Sequence, residues 1–287
     1  MALPNHTPLN YKIWHYTYLT FCGLVFFFLI APLFVILPLS FNAEQYIHFS
    51  AKMLALDPEG FSLRWYEDMI YGTKNPWGIA VRNSFYIAFF ATIGATTLGT
   101  IAALGLSSRY MPYKSLIMSV LISPMIIPLI ISGSAIFFGL AKIGLAASFP
   151  GVVMAHIILG TPFVVITVTA TLSGFDDSIT RAASSLGSTP TNTFFKITLP
   201  LILPGIISGA LFAFVTSFDE IVVILFVAGG ERSLTTIPLQ MWTGLREQLS
   251  PTIMAVATCL IVMSTLILVA TELLRRRSER IRGITPQ

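Results

Sequence analysis

Charge is what this 287-residue sequence has least of: 10% of its residues are Asp, Glu, Lys or Arg, against 55% hydrophobic. A soluble domain carries roughly 25% charged residues, so this chain lacks the polar surface that water demands. Cysteine is nearly absent. Cys22 and Cys259 both stand inside apolar blocks without ligand neighbours, which argues against a disulfide framework or a metal site. No Gly-x-x-x-x-Gly-Lys-Ser/Thr phosphate loop and no Gly-x-Ser-x-Gly elbow occurs, and no second His lies in an apolar block with His156. The nucleophile-and-base set of an intramembrane enzyme is therefore missing, and no cofactor is expected on this chain. The formal net charge of +4 would by itself fit a nucleic-acid surface. Its main source is a terminal cluster, Arg275, Arg276, Arg277, Arg280 and Arg282, beside an apolar block and without a nucleic-acid module. In that setting it reads as a topology signal.

What is present is a series of long apolar blocks. Six are long enough to cross the hydrocarbon core as helices, at about 18–39, 83–106, 115–140, 150–172, 203–228 and 251–274. Continuous runs of this kind are helices and not the alternating strands of a barrel. The first is too long for a signal-peptide core and has no small-x-small site after it, so it is expected to be retained. Arg109 and Lys114, then Arg181 and Lys196, then the terminal arginines fall on one side if the chain crosses six times. The positive-inside rule then puts both termini in the cytoplasm, with Lys142 as the outer exception. The first outer loop is acidic. It contains a turn at Asp57-Pro58-Glu59-Gly60 and the stretch Leu63-Arg64-Trp65-Tyr66, whose rings are expected to anchor at the membrane interface.

Several residues stand out within the blocks. Ala91, Ala95, Gly99 and Ala103 recur every fourth position and predict a close-packing helix face. Pro124 and Pro128 remove backbone hydrogen bonds and must kink or break the third helix, as in helices that line transport paths. His156 is expected to bond a neighbouring carbonyl. Asp219 and Glu220 lie slightly past the middle of the fifth block, after Ser217. An ionisable group there faces a partner, a cavity or a water path. Either Asp219 lines the path and attracts a cation, or the pair braces neighbouring helices.

The richest segment is the cytoplasmic loop from Leu172 to Pro200. Asp177 or Ser178 can cap a helix. Ile179, Ala182, Ala183 and Leu186 make one apolar face, and Gly187 can take the left-handed conformation that ends it. Thr189-Pro190 then reads as a new cap followed by proline at the first helical position. Two short helices joined by a glycine turn are expected.

Arg181-Ala182-Ala183-Ser184-Ser185-Leu186-Gly187, followed by Leu199-Pro200, resembles the Glu-Ala-Ala loop of bacterial ATP-binding-cassette importer permeases. Ser217-Phe218-Asp219-Glu220, Leu63-Arg64-Trp65-Tyr66, Asn83-Ser84 and the Pro124/Pro128 pair are similar to the spermidine/putrescine-type branch. The resemblance implies an all-α polytopic fold of the type I importer (MetI-like) class. One transmembrane permease domain would fill residues 1–287, with its core at about 80–275 and a coupling loop at 174–200. It also implies partners: a cytoplasmic ATPase dimer that holds the ATP and Mg, a second and different permease chain, and a periplasmic substrate-binding protein. The setting would be the bacterial inner membrane. Arg181, Ala182, Ala183, Leu186, Gly187 and Pro190 would meet the ATPase. Ser217, Asp219, Glu220, Pro124 and Pro128 would line the path of a small organic cation such as a polyamine, with an opine, amino acid or related amine as the alternative. A secondary transporter is disfavoured because no convincing internal repeat is present. Arg181 departs from the family's usual Glu. A guanidinium cannot replace a carboxylate toward a basic partner, so either the ATPase groove is compensated or, as expected in preference, the docking contact rests on the apolar face and Gly187.

Overall fold

The computed structural model describes residues 8–71, 77–108, 110–174, 176–247 and 250–281. Arg109, Arg282 and the side chains of Asp177 and the other terminal arginines lie outside that description. Among the described residues every regular element is helical. In chain order they are α1 (Leu9–Leu39), α2 (Ala51–Leu54), α3 (Arg64–Tyr71), α4 (Trp77–Ser107), α5 (Lys114–Ile126), α6 (Leu129–Lys142) and α7 (Phe149–Ser173). There follow α8 (Asp177–Ser185), α9 (Pro190–Thr193), α10 (Leu199–Phe218), α11 (Val222–Val227), α12 (Ile237–Glu247) and α13 (Thr252–Ile281). They form two compact units, residues 76–243 and residues 1–75 with 244–287.

The larger unit is built on α4, α7 and α10. The small-residue stripe of α4 is buried as its spacing predicts, and Ala91, Ala95 and Ala103 are almost fully covered. It meets matching small residues on the other two helices. A Cβ placed on Gly160 of α7 would stand 3.2 Å from the Ala95 Cβ and 3.1 Å from the Ala213 Cβ of α10. One on Gly209 would stand 2.8 Å from the Val164 Cα. Lipid supplies no hydrophobic drive between helices, so dispersion contacts at this close range hold the three together.

These contacts also fix direction. Ala95 is level with Gly160, and Gly99 with Val164, so α4 and α7 run parallel. Gly205 faces Thr171 while Gly209 faces Thr167, so α10 runs antiparallel to α7. Parallel α4 and α7 require the chain between them to return across the bundle. The pair α5 and α6 makes that return with a bend of 107°. It is one broken crossing, as the prolines of the third block predict. The break lies at Ile127-Pro128. Ile127 is extended, as a residue before proline prefers, and Pro128 caps α6. Pro124 stays within α5.

The fifth block differs from expectation. Residues Pro190–Phe218 form one apolar stretch of 29 residues, through a π-helical turn at Phe194–Thr198. The second helix of the loop is thus the start of this crossing and not a separate element. The helix then ends at Phe218, before Asp219 and Glu220, and α11 completes the block. Val227 accepts a 2.9 Å hydrogen bond from the Ala147 backbone N–H, beside the start of α7. Downstream of α11, Asn83 of α4 donates to the carbonyls of Ser233 and Thr235 at 2.6 and 3.0 Å, and Ser84 accepts from the Ile237 N–H at 2.8 Å.

The other unit holds α1, a folded outer segment and α13. Asn42, fully buried, ties the segment together. Its amide donates to the carbonyls of Tyr46 and His48 at 2.9 Å, and its own carbonyl accepts from Trp65 Nε1 at 2.6 Å. Asp57 caps the predicted turn through the Glu59 N–H. Tyr66 bonds Ser40 at 2.7 Å, and Thr252 of α13 donates to Asp68 at 2.8 Å. Trp65 is only 8% exposed. It is a core residue of this segment and not the interface anchor expected from sequence, because its indole N–H finds an internal acceptor. Among the described residues, α1, α4, α7 and Pro190–Phe218 are each long and apolar enough to span a membrane, and α13 opens with an apolar stretch at Thr252–Leu266.

Candidate functional site

Two helix breaks meet at one cavity of about 350 Å³. Its lining is Leu129, the first residue of α6, with Val215 and Thr216 of α10 and the linking residues Asp219 to Val222. The proline after Ile127 delivers Leu129 there, and the end of α10 delivers the carboxylates. This is the broken-helix arrangement that places backbone dipoles and polar groups inside a membrane protein. The C-terminal end of α10 concentrates carbonyl partial charge, favourable to a cation. The N-terminal end of α6 carries the opposite sign.

The two adjacent carboxylates have different surroundings. Glu220 is 7% exposed and accepts a 2.8 Å hydrogen bond from the Val223 N–H, satisfying a first-turn donor of α11. It is a brace as well as a cavity wall. Asp219 ends α10 through its backbone N–H to the Val215 carbonyl at 3.0 Å, and its side chain is exposed at the cavity. Helix geometry at mid-span therefore does not apply to this pair: both residues sit in the break between two helices, where the turn turns one carboxylate inward and leaves the other open.

Ser217 is 4% exposed and does not line the cavity. Its hydroxyl is 2.8 Å from His156 Nδ1, so the buried imidazole on α7 is hydrogen-bonded to a side chain of α10. Of the two prolines, Pro128 adjoins the cavity through Leu129, and Pro124 lies one turn earlier in α5. The sequence offered no signal for Val215, Thr216 or Val222, which are ordinary apolar or hydroxyl residues of a span. Leu129 could have been found from its place after Pro128.

The loop between α7 and α10 is the second functional feature. Asp176, one residue before the expected caps, starts α8. It accepts from the Ser178 N–H at 2.8 Å and the Ser178 hydroxyl at 2.6 Å. That hydroxyl, then that N–H, hold the Asp176 carboxyl below its ordinary range, with a smaller contribution from the Arg181 guanidinium. Gly187 has a φ of +83°. The Gly187 N–H bonds the Ser184 carbonyl and the Ser188 N–H bonds the Ala183 carbonyl, both at 3.0 Å. This is the Schellman pattern, and it needs the left-handed residue at Gly187. Thr189 caps the next helix through the Asn192 N–H, with Pro190 at its first position, as the sequence predicts.

The expected apolar face divides. Ala183 is 8% exposed and turned into the hairpin, whereas Leu186 is 89% exposed at its tip, with Ile179 and Ala182 exposed on the same side. Arg181 is exposed as well, but five residues separate it from Leu186, about 140° around a helix. The guanidinium and the apolar strip look in different directions. Among the described residues no three His, Cys, Asp or Glu side chains gather as a metal site.

Comparison with known proteins agrees with this architecture. Residues 95–281 match the model of the binding-protein-dependent transport system inner membrane component family. The chain is 30% identical over 258 residues to the spermidine/putrescine transport system permease protein PotC of Haemophilus influenzae, covering 90% of this chain and 96% of that one. It is 32% identical over 265 residues to the putrescine transport system permease protein PotI of Escherichia coli, covering 90% and 89%. A chain of a bacterial transporter that imports the acidic polysaccharide alginate superposes with a TM-score of 0.70 at 14% identity, covering 95% of this chain and 99% of that one. A chain of an amino acid transporter does so at 0.54 and 18%, covering 79% and 99%. At these identities the structures establish the fold, and the sequence relatives establish the family. The chain is, like the permease proteins it is related to, a non-catalytic transport subunit, and it belongs to the family of binding-protein-dependent transport system inner membrane components.

Proposed function

We propose that this chain forms half of the membrane path of an ATP-driven importer for a small organic cation of the polyamine class. The observation that carries the substrate class is the open Asp219 carboxylate at the C-terminal end of α10, inside a cavity made by two broken helices. A carboxylate and a helix C-terminus both favour positive charge. The two relatives with spermidine or putrescine in their names support the same class. A second, different permease chain completes the path, a periplasmic binding protein delivers the substrate, and an ATPase dimer carrying ATP and Mg takes the α8 hairpin. Arg181, Ala182, Leu186, Gly187 and Pro190 form or shape the docking surface, and Ala183 supports it from within. Lys114, Arg181 and Lys196 fall on one side of the bundle, which supports cytoplasmic termini by the positive-inside rule.

A second reading is an amino acid, opine or related amine. The N-terminal end of α6 at the same cavity favours it, since a zwitterion would place its amine at Asp219 and its carboxylate at Leu129. Uptake of labelled putrescine, spermidine and amino acids by the complete transporter separates the two. Asp219→Asn is expected to lower uptake of the preferred amine roughly tenfold or more, the loss of one charge-assisted hydrogen bond. Undiminished uptake in a normally assembled complex would remove Asp219 from the path.

A further inference from the structure

His156 lies on α7 seven residues after Phe149, roughly 10 Å along the helix. It is 1% exposed. Its Nδ1 stands 2.8 Å from the Ser217 hydroxyl, and its Nε2 is buried without a hydrogen-bond partner. An imidazole inside a membrane bundle needs a reason, and one satisfied at a single nitrogen is held for that one contact. Ser217 is the last buried residue of α10. Two positions later the chain leaves the helix at Asp219, and three later Glu220 turns inward to cap α11. Another contact at the end of α10 is aromatic and not a hydrogen bond: Phe218 meets Phe85 of α4 edge-on, with ring centroids 5.2 Å apart. Ala213, one turn earlier, packs on Gly160 through apolar contact alone, and apolar contact does not fix rotation as a hydrogen bond does.

We propose that His156 is a positioning residue for the carboxylate at Asp219: through Ser217 it pins the last turn of α10 against α7, and so sets where Asp219 enters the cavity. The inference rests on the reading of Asp219 as a path residue. Both nitrogens of the pair need not act. The Nδ1 contact does the work, and Nε2 takes no part in transport.

The test uses the complete transporter in membranes, with uptake normalised to the amount of assembled complex. His156→Leu keeps the bulk and removes the bond. Ser217→Ala removes it from the other side. His156→Asn places an amide where Nδ1 stood and can donate or accept. His156→Leu and Ser217→Ala are each expected to lower uptake about three- to tenfold, the range of one buried hydrogen bond, and together no further. His156→Asn is expected to restore it. In the Asp219→Asn background, His156→Leu is expected to add nothing, because the group it positions has lost its charge. Failure of His156→Asn to rescue would overturn the proposal, since it would assign the role to Nε2. So would an additive effect with Asp219→Asn, or a loss of uptake that merely follows loss of assembled complex. If Asp219→Asn lowers uptake while His156→Leu does not, the positioning role alone falls. If Asp219→Asn leaves uptake normal, the path reading itself falls, whatever His156 does.

Discussion

Glu220 and Asp219 are neighbours of similar chemistry with separate tasks. The difference comes from one turn of backbone: the helix stops between Phe218 and Ile221, and Glu220 alone can reach the Val223 N–H. A buried donor without an acceptor costs about 1–3 kcal/mol. Glu220→Ala is therefore expected to lower the stability of the chain in detergent by about that much. Glu220→Gln keeps an oxygen acceptor and is expected to stay near the parent in thermal unfolding. Equal destabilisation by both variants would show that the charge of Glu220, and not its cap, is what the fold uses. Sequence marked both residues as worth attention, because ionisable groups inside an apolar block need a reason. It could not assign their roles. Residue types set the cost of burial, but the direction of each side chain depends on a helix end that no Gly or Pro announces.

Among elements, the three-helix core and the hairpin respond to substitution for different reasons. Gly160 has little room for a side chain: a single Cβ would already stand 3.1–3.2 Å from its neighbours on two helices. Gly160→Val is expected to force α4, α7 and α10 apart and to cost about 1–3 kcal/mol, visible as a lower unfolding temperature of the detergent-solubilised protein. Gly187 has space around it, and its constraint is the backbone alone. A β-branched residue held at φ +83° is disfavoured by about 1–2 kcal/mol, so Gly187→Val is expected to open the turn. The transporter would then assemble in the membrane but show weakened ATPase capture and transport no longer coupled to ATP hydrolysis. Unaltered substrate-stimulated ATPase activity in that variant would count against the docking role. Ala183→Asp is a poorer probe than the apolar pattern implies. Ala183 packs inside the hairpin, and the substitution would unfold the surface instead of altering it. The small-residue stripe, the glycine turn and the Thr189-Pro190 start were all readable locally, since each depends on residues within a turn or two. The merging of α9 into the next crossing was not, because a π-helical turn leaves no break in the apolar pattern.

At the scale of the molecule, chain direction decides topology. Parallel packing of α4 and α7 makes the bent pair α5–α6 a net crossing, so Lys114 at its start and Lys142 at its end lie at opposite ends of the larger unit. With Cys22 and Cys259 replaced, a single cysteine at Lys114 is expected to react with an impermeant thiol reagent only from the cytoplasm, and one at Lys142 only from outside. Labelling of both from one side would require α5–α6 to be a re-entrant loop. The amino-acid sequence by itself determined that this chain lives in a membrane, roughly where its helices begin and end, and which loop projects from them. Those properties follow from hydropathy summed over about 20 residues and from turn chemistry within four. Only the tertiary structure decided that two breaks share one cavity, that Asp219 opens into it while Glu220 closes, and that His156 reaches Ser217. Each of these depends on contacts between residues far apart in the chain, set by how closely glycines and alanines let the helices approach, and an apolar run carries no record of which helix will lie beside it.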